Sequence, residues 1–248
     1  MKKNLGFTLV ELSVVIVLIG LIVAGVMGGQ ALLRQAKVRT LISDYNKYNT
    51  AVNAFKLEYS ELPGDLSNAS SYGIGTDGNG NRQIHSTNTE NLDFWQHLSQ
   101  SGIIAGAYTG SAPPLVAGVN VPVSSYGGNV VVHVGHLSTA GGSCLAIAGG
   151  TLFGTVHNAH IFAFGGIDPA TGWQCPNLGF LKVSEASGID NKIDDGEPDS
   201  GIMYSINFSN SNTNGSRCVD RGVNQSGNVL YDFDETGENC RVWFKFTL

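Results

Sequence analysis

Phe7 to Gly29 is a run of 23 residues in which Glu11 carries the sole charge. As an α-helix this run rises about 35 Å, enough to cross a hydrocarbon core of roughly 30 Å. The basic start Met1-Lys2-Lys3 before an apolar stretch also fits a secretory signal peptide, with small residues from Ala24 to Gly29 as a cleavage region. Glu11 is the residue that either reading must explain. A carboxylate costs about 2.5 to 3.5 kcal/mol at the centre of a membrane helix, less near an end, and it persists where it has a partner. Loop charge leaves the orientation open, because Lys2 and Lys3 on one side face Arg34, Lys37 and Arg39 on the other.

Beyond this run the composition changes. Residues 7–60 hold 5 basic and 3 acidic side chains, whereas residues 61–248 hold 7 basic and 17 acidic ones, so a neutral-to-basic stem carries an acidic head. The formal charge of the whole chain is -6, which leaves no basic excess to neutralise a phosphate backbone, and nucleic acid is excluded as the first expectation. A charged fraction of 14% beside 42% hydrophobic residues excludes a disordered chain or a coiled coil. The length suits one globular domain with an appendage.

The string Lys3-Asn4-Leu5-Gly6-Phe7-Thr8-Leu9-Val10-Glu11 resembles the prepilin signature of type IV pilins and type II secretion pseudopilins: a short basic leader, Gly, then Phe-Thr-Leu-x-Glu opening an apolar helix. The resemblance implies that a membrane-embedded prepilin peptidase cuts between Gly6 and Phe7 and methylates the new amine of Phe7. It implies further that Glu11 pairs with the Phe7 amine of a neighbouring subunit in a helical filament. Before assembly the subunit would sit in the bacterial inner membrane, head in the periplasm, beside the inner-membrane assembly machinery. Such pairing is physically sound, since each charge is costly alone in an apolar core and the pair offsets much of that cost. The family commonly has Pro at the twenty-second mature residue, where this chain has Gly28 followed by Gly29. A competing reading is an ordinary single-span anchor whose Glu11 snorkels to the interface.

The helix is expected to continue. Val38, Leu41, Tyr45, Tyr48, Val52, Phe55 and Tyr59 alternate spacings of three and four, and no Pro or Gly intervenes between Ala31 and Leu62. This predicts one amphipathic stem helix ending at Leu62-Pro63-Gly64-Asp65, with its stripe packed against the head. A second helix is expected over Glu90–Ser101, with Leu92, Trp95 and Leu98 on one face and Gly102 as its stop. Val119–Ser124, Asn129–Leu137, Cys144–Ala148, His160–Phe164, Ile202–Phe208, Asn228–Phe233 and Arg241–Leu248 read as strands. The expected fold class is α+β and pilin-like, a long N-terminal helix packed on a mainly antiparallel sheet with long loops. The expected divisions are a leader over 1–6, a membrane and filament-core half of the stem over 7–29, an amphipathic half over 30–62, and a β-rich head over 63–248.

All four cysteines, Cys144, Cys175, Cys218 and Cys240, lie in the head and none forms a C-x-x-C pair, which suits an extracytoplasmic disulfide framework. Of three connectivities, the sequence-local one is favoured: Cys144 with Cys175, and Cys218 with Cys240. The second is similar to the bridged terminal loop of many type IV pilins. The segment Ile189–Gly201 is dense in carboxylates, and Asp190, Asp194 and Asp195 could hold Ca²⁺ through hard oxygen ligands. That segment also resembles a recurrent stretch of prepilin-type proteins, some pseudopilins of which carry a structural calcium. A weaker candidate is Asp77, Asn79 and Asn81, which mimic the start of an EF-hand loop and then depart from it at Arg82 and Asn88. Solvated turns are the alternative for both loops. His133-x-x-His136 and His157-x-x-His160 have a spacing that sends the rings of a strand to opposite faces, so packing or surface roles are expected. No nucleophile elbow, P-loop, dinucleotide fingerprint or zinc-peptidase motif is present, and no catalytic residue is expected.

The expectation is therefore a structural filament subunit, a pilin, with identical or related subunits as partners. A pseudopilin is the alternative within that class. From another class comes a membrane-tethered carbohydrate-binding or hydrolytic domain using Trp95, Trp173 and Trp243 as sugar platforms.

Overall fold

The computed structural model describes residues 8–85, 89–110, 114–137, 159–167, 175–207, 217–220 and 229–246. Helix α1 runs from Leu9 to Tyr59. By contact the chain divides into two compact units, Met1–Arg39 and Thr40–Leu248. The first is the apolar part of α1, and its side chains from Leu9 to Leu33 stand exposed on every face where they are described.

In the second unit the stripe on α1 is the organising element. Leu41, Tyr45, Tyr48, Val52 and Phe55 are buried, while Tyr59 at the helix end is partly open. Their partners come from α3, Glu90–Gln100, and from a sheet of four antiparallel strands. The strands are β1 (Val130–Leu137), β2 (Ala159–Gly166), β3 (Met203–Asn207) and β6 (Cys240–Lys245), in the order β1-β2-β6-β3. Tyr45 stacks on Phe244 at 5.0 Å and Tyr48 meets Trp95 edge-on at 4.9 Å. Alternation puts Phe162, Phe164 and Phe244 on one face of the sheet, and it puts Ile161, Ala163, Tyr204, Ile206 and Trp243 in an apolar cluster on the other. Fully burying each aromatic ring removes it from water for about 1.5 to 3 kcal/mol, so the rings of the α1 stripe bind the helix firmly to the sheet and α3. The fold is α+β: a long N-terminal helix packed with an antiparallel sheet.

The sequence reading needs correction at several elements. Val119–Ser124 is not a strand; it makes isolated bridges only, Ala117 with Val121 and Val123 with Val131. Pro122 cannot donate to a ladder, and Asn120 turns its Oδ1 onto the Val116 N–H at 2.7 Å. The expected strand over Asn228–Phe233 shortens to β5, Leu230–Tyr231, paired with β4, Val219–Asp220. Two helices were not foreseen: the single turn α2, Ala69–Tyr72, and α4, Val183–Ile193. Gly188 and three residues of low helix propensity, Ser184, Ser187 and Asn191, disguise α4, yet Val183, Ala186 and Ile189 recur at helical spacing and are buried. Glu185 caps its start by accepting the Lys182 N–H at 2.9 Å. The expected strand Cys144–Ala148 lies outside the described residues.

Both sheet edges carry partners. On β1, the Val132 N–H donates to the Pro122 carbonyl and the His136 N–H to the Ile84 carbonyl, each at 3.0 Å. On β3, the Ser205 N–H donates to the Pro198 carbonyl at 2.9 Å. The loop beside β1 is tied to the stem by one carboxylate. Asp44, buried on α1, accepts from Ser124 Oγ at 2.8 Å, Ser125 N–H at 2.7 Å and Ser125 Oγ at 2.8 Å. Asp44→Ala leaves the buried Ser124 hydroxyl without this acceptor and removes two bonds to Ser125, and should cost about 2 kcal/mol. Thermal unfolding of the full-length chain in detergent checks it, with Ser125→Ala expected to cost less because the Ser125 N–H and Ser124 bonds remain.

Candidate functional site

Three places answer to the residues singled out in the sequence: the start of α1, the turn after α4, and the Asp77 to Asn81 loop. At the first, Thr8 and Glu11 close on one another. Glu11 Oε2 accepts from both the Thr8 N–H and Thr8 Oγ1 at 2.8 Å, and Thr8 Oγ1 accepts the Glu11 N–H at 3.3 Å. This is a capping box: two amides that begin the helix without intrahelical partners are satisfied reciprocally, and the anion sits at the positive end of the helix dipole. The Thr8-x-x-Glu11 spacing is the signal in the sequence for it, and that role was not read there. Gly6 and Phe7 lie outside the described residues.

Behind this cap, from Val14 to Met27, the helix offers only apolar surface. Leu9, Leu21 and Met27 are 84%, 67% and 67% exposed, and none of this apolar stretch is buried. A helix apolar all round is stable only against lipid or other chains.

The family described as the prokaryotic N-terminal methylation motif matches residues 1–27. The chain carries the type IV pilin and pseudopilin signature. No curated protein and no solved structure matches it. Proteins bearing this motif are structural rather than enzymatic, and the motif together with the apolar helix indicates membrane anchoring.

Asp190 ends the buried face of α4, and Asp194 and Asp195 follow as the chain leaves the helix. One ligand oxygen from each lies within 4.8 Å of the others. Asp194 Oδ2 accepts from the Ile202 and Met203 N–H groups. Asp195 Oδ1 accepts the Glu197 N–H at 2.9 Å and its Oδ2 the Ser200 hydroxyl. Asp190 is fully buried; its Oδ2 accepts the Tyr231 hydroxyl at 2.7 Å, and its Oδ1 has no hydrogen-bond partner. Burial, then the charges of Asp195 and Asp194, push the Asp190 carboxyl up to about 7. An all-oxygen set with one orphaned buried acceptor fits a hard divalent cation.

The Asp77 loop does different work. Asp77 accepts from Ser70 N–H and Oγ at 2.7 and 2.9 Å, Asn79 Oδ1 accepts the Asn81 N–H at 3.0 Å, and Asn81 Oδ1 accepts the Gln83 N–H at 2.8 Å. The oxygens that mimic an EF-hand are spent on turns. Asp65, from the helix-ending Leu62-Pro63-Gly64-Asp65, holds this loop by accepting the Asn81 and Arg82 N–H groups at 3.1 and 2.6 Å. His97 on α3 completes the anchorage: its Nδ1 accepts the Gly64 N–H at 2.9 Å, which makes Nε2 the donor to the Thr76 carbonyl at 2.8 Å.

Cys218 is bonded to Cys240. Cys175 is also disulfide-bonded, and Cys144 lies outside the described residues. Trp95 and Trp243 are 0% and 2% exposed, so neither ring is a sugar platform, and Trp173 lies outside the described residues. His133 and His136 go to separate partners, Asn91 and His160, and His157 lies outside the described residues.

The acidic turn depends on Gly201, at φ +70°, where an added Cβ would stand 1.8 Å from Asp194 Oδ2. Gly201→Ala must displace that carboxylate and strain the backbone, and it should cost about 2 kcal/mol or more. A melt of the full-length variant checks this, with Gly188→Ala in α4, where a Cβ meets nothing within 4 Å, expected to be neutral or stabilising.

Proposed function

We propose that the chain is a structural subunit of a type IV pilus or pilus-like extracytoplasmic filament, held in the inner membrane with its head in the periplasm before assembly. The observation that carries this reading is the lone carboxylate, Glu11, at the start of a helix that is apolar and exposed on all sides. Such a helix needs a lipid phase first and neighbouring helices afterwards, and a charge at its start needs a counter-charge once water and headgroups are gone. Prepilin peptidase would supply it by cutting between Gly6 and Phe7, leaving an N-methylated amine on Phe7 that a neighbour's Glu11 meets. Residues 1–6 are then the leader, 7–29 the filament core, 30–62 the amphipathic stem and 63–248 the head. A pilin is favoured over a pseudopilin by the size of the loop-rich head.

Glu11→Ala should leave normal amounts of cleaved, membrane-inserted monomer and few or no fibres, while Glu11→Asp is intermediate. Electron microscopy of sheared fibres, with mass spectrometry of the N-terminus, measures both; wild-type fibre yield from Glu11→Ala would remove the charge-pair mechanism. Non-reducing peptide mapping should also find Cys144 joined to Cys175, the pairing that goes with Cys218 to Cys240.

A structural calcium at Asp190, Asp194 and Asp195 is favoured by the buried, partnerless Asp190 Oδ1. Bound there, the ion would neutralise like charges gathered at the end of α4. At a calcium concentration a hundredfold above Kd, chelation should remove about 2.7 kcal/mol of stability, and Asp194→Ala should abolish the response. Calorimetry of the full-length chain in detergent, with and without chelator, reads this directly; an unchanged melt leaves the carboxylates as turn acceptors alone.

A further inference from the structure

Three histidines gather where β1 and β2 end. His136 on β1 stands opposite His160 on β2, with ring centroids 4.7 Å apart. His85, in the loop before α3, brings a third imidazole to 6.0 Å from His136. Phe246, just past β6, stacks on His160 at 5.3 Å and on Phe162 at 4.5 Å, and its N–H donates to the His160 carbonyl at 3.1 Å. His136 and His160 are 2% and 6% exposed. Two strand ends and the C-terminal segment thus share a contact surface that is uncharged only while the imidazoles are neutral.

The neighbouring imidazoles make protonation of His160 harder. His136 from β1 and His85 from the loop both face His160, and each repels a second proton there once charged. Glu90 on α3 acts on His85, whose backbone N–H donates to it at 2.9 Å. Lys245, the residue before Phe246, pairs with Ile161, and alternation sends its side chain to the opposite face. His160 Nε2 has no hydrogen-bond partner.

We propose that this cluster is an acid-operated latch: neutral imidazoles hold the ends of β1 and β2 and the C-terminal segment together, and protonation releases them while the rest of the sheet stays paired. His85 is partly exposed and lies beside Glu90. A proton on His160 would have to sit buried among the neighbouring imidazoles, and opening the strand ends to water removes that cost. Burial first, and then His136 and His85, lower His160 from 6.5 to about 3. Because the folded value is depressed, the closed form keeps its full advantage above the unfolded value and loses it as pH falls toward the folded one. Between pH 7 and pH 5 the open form gains roughly 25-fold from His160 alone.

Hydrogen exchange read by mass spectrometry on the full-length chain in detergent, at pH 7 and pH 5 and corrected for intrinsic exchange, tests the latch. Amides of 134–137 and 159–162 should lose about tenfold or more protection at pH 5. Phe164 and Val242, paired at the other end of the β2 and β6 ladder, should keep theirs. His160→Gln and His160→Phe, neither of which titrates, should retain protection at the strand ends at pH 5. Unchanged wild-type protection at pH 5 overturns the proposal, as does uniform loss across the sheet, and both results are read without any variant. Equal loss in the two variants overturns it as well.

Discussion

The head is built around the burial of one helical stripe. Leu41, Tyr45, Tyr48, Val52 and Phe55 present an aromatic and aliphatic ridge to Phe162, Phe244 and Trp95, and the strands and α3 are arranged to receive it. Without the helix, the sheet face carrying Phe162, Phe164 and Phe244 would stand in water. Asp44 sits on the same helix and fixes the Ser124–Ser125 turn, so the stripe that supplies the apolar contact also positions the loop guarding β1.

The same helix carries the opposite problem at its other end. Among the described residues its first half has no apolar partner within its own unit, and its polar start is satisfied internally by Thr8 and Glu11. The sheet edges, by contrast, are already engaged by Pro122, Ile84 and Pro198 carbonyls, which removes strand addition as a route to association along the described edges. In the proposed filament, the apolar helix is the surface that lipid holds first and other helices replace. In the monomer the capping box gives Glu11 a use at the helix start, and a neighbour's cation would compete with the Thr8 contacts for the same oxygens.

Buried polar groups tie the remaining loops down. Asp65, Asp77 and His97 convert the segment from Leu62 to Arg82 into a set of turns anchored on α3, where Phe94, Trp95 and Leu98 fill the core while His97 holds the loop. Arg241 plays a comparable part beside the disulfide, donating to the Pro176 carbonyl at 2.8 Å and the Asn207 carbonyl at 2.9 Å. Its burial lowers it to about 10, the cost of holding a cation among carbonyls rather than in water.

The sequence by itself determined the elements whose cause is local. An apolar run with one carboxylate, a three-and-four stripe from Val38 to Phe55, Pro63-Gly64 just beyond the helix end and runs of β-branched and aromatic residues near Val130, Ile161 and Val242 each specify a helix, an end or a strand without reference to distant residues. Tertiary structure decided what depends on residues remote in the chain. Helix α4 exists because Val183, Ala186 and Ile189 find a core that outweighs Gly188 and its polar neighbours, and Val119–Ser124 fails as a strand because Pro122 faces a partner as acceptor only. Asp190, Asp194 and Asp195 were visible as a run of acids. Only the fold buried Asp190 against Tyr231, 41 positions away, and left one oxygen without a donor. The histidine spacing likewise indicated separate faces within one strand, and pairing across strands then set His136 beside His160, because register is fixed by which faces are buried along the whole sheet.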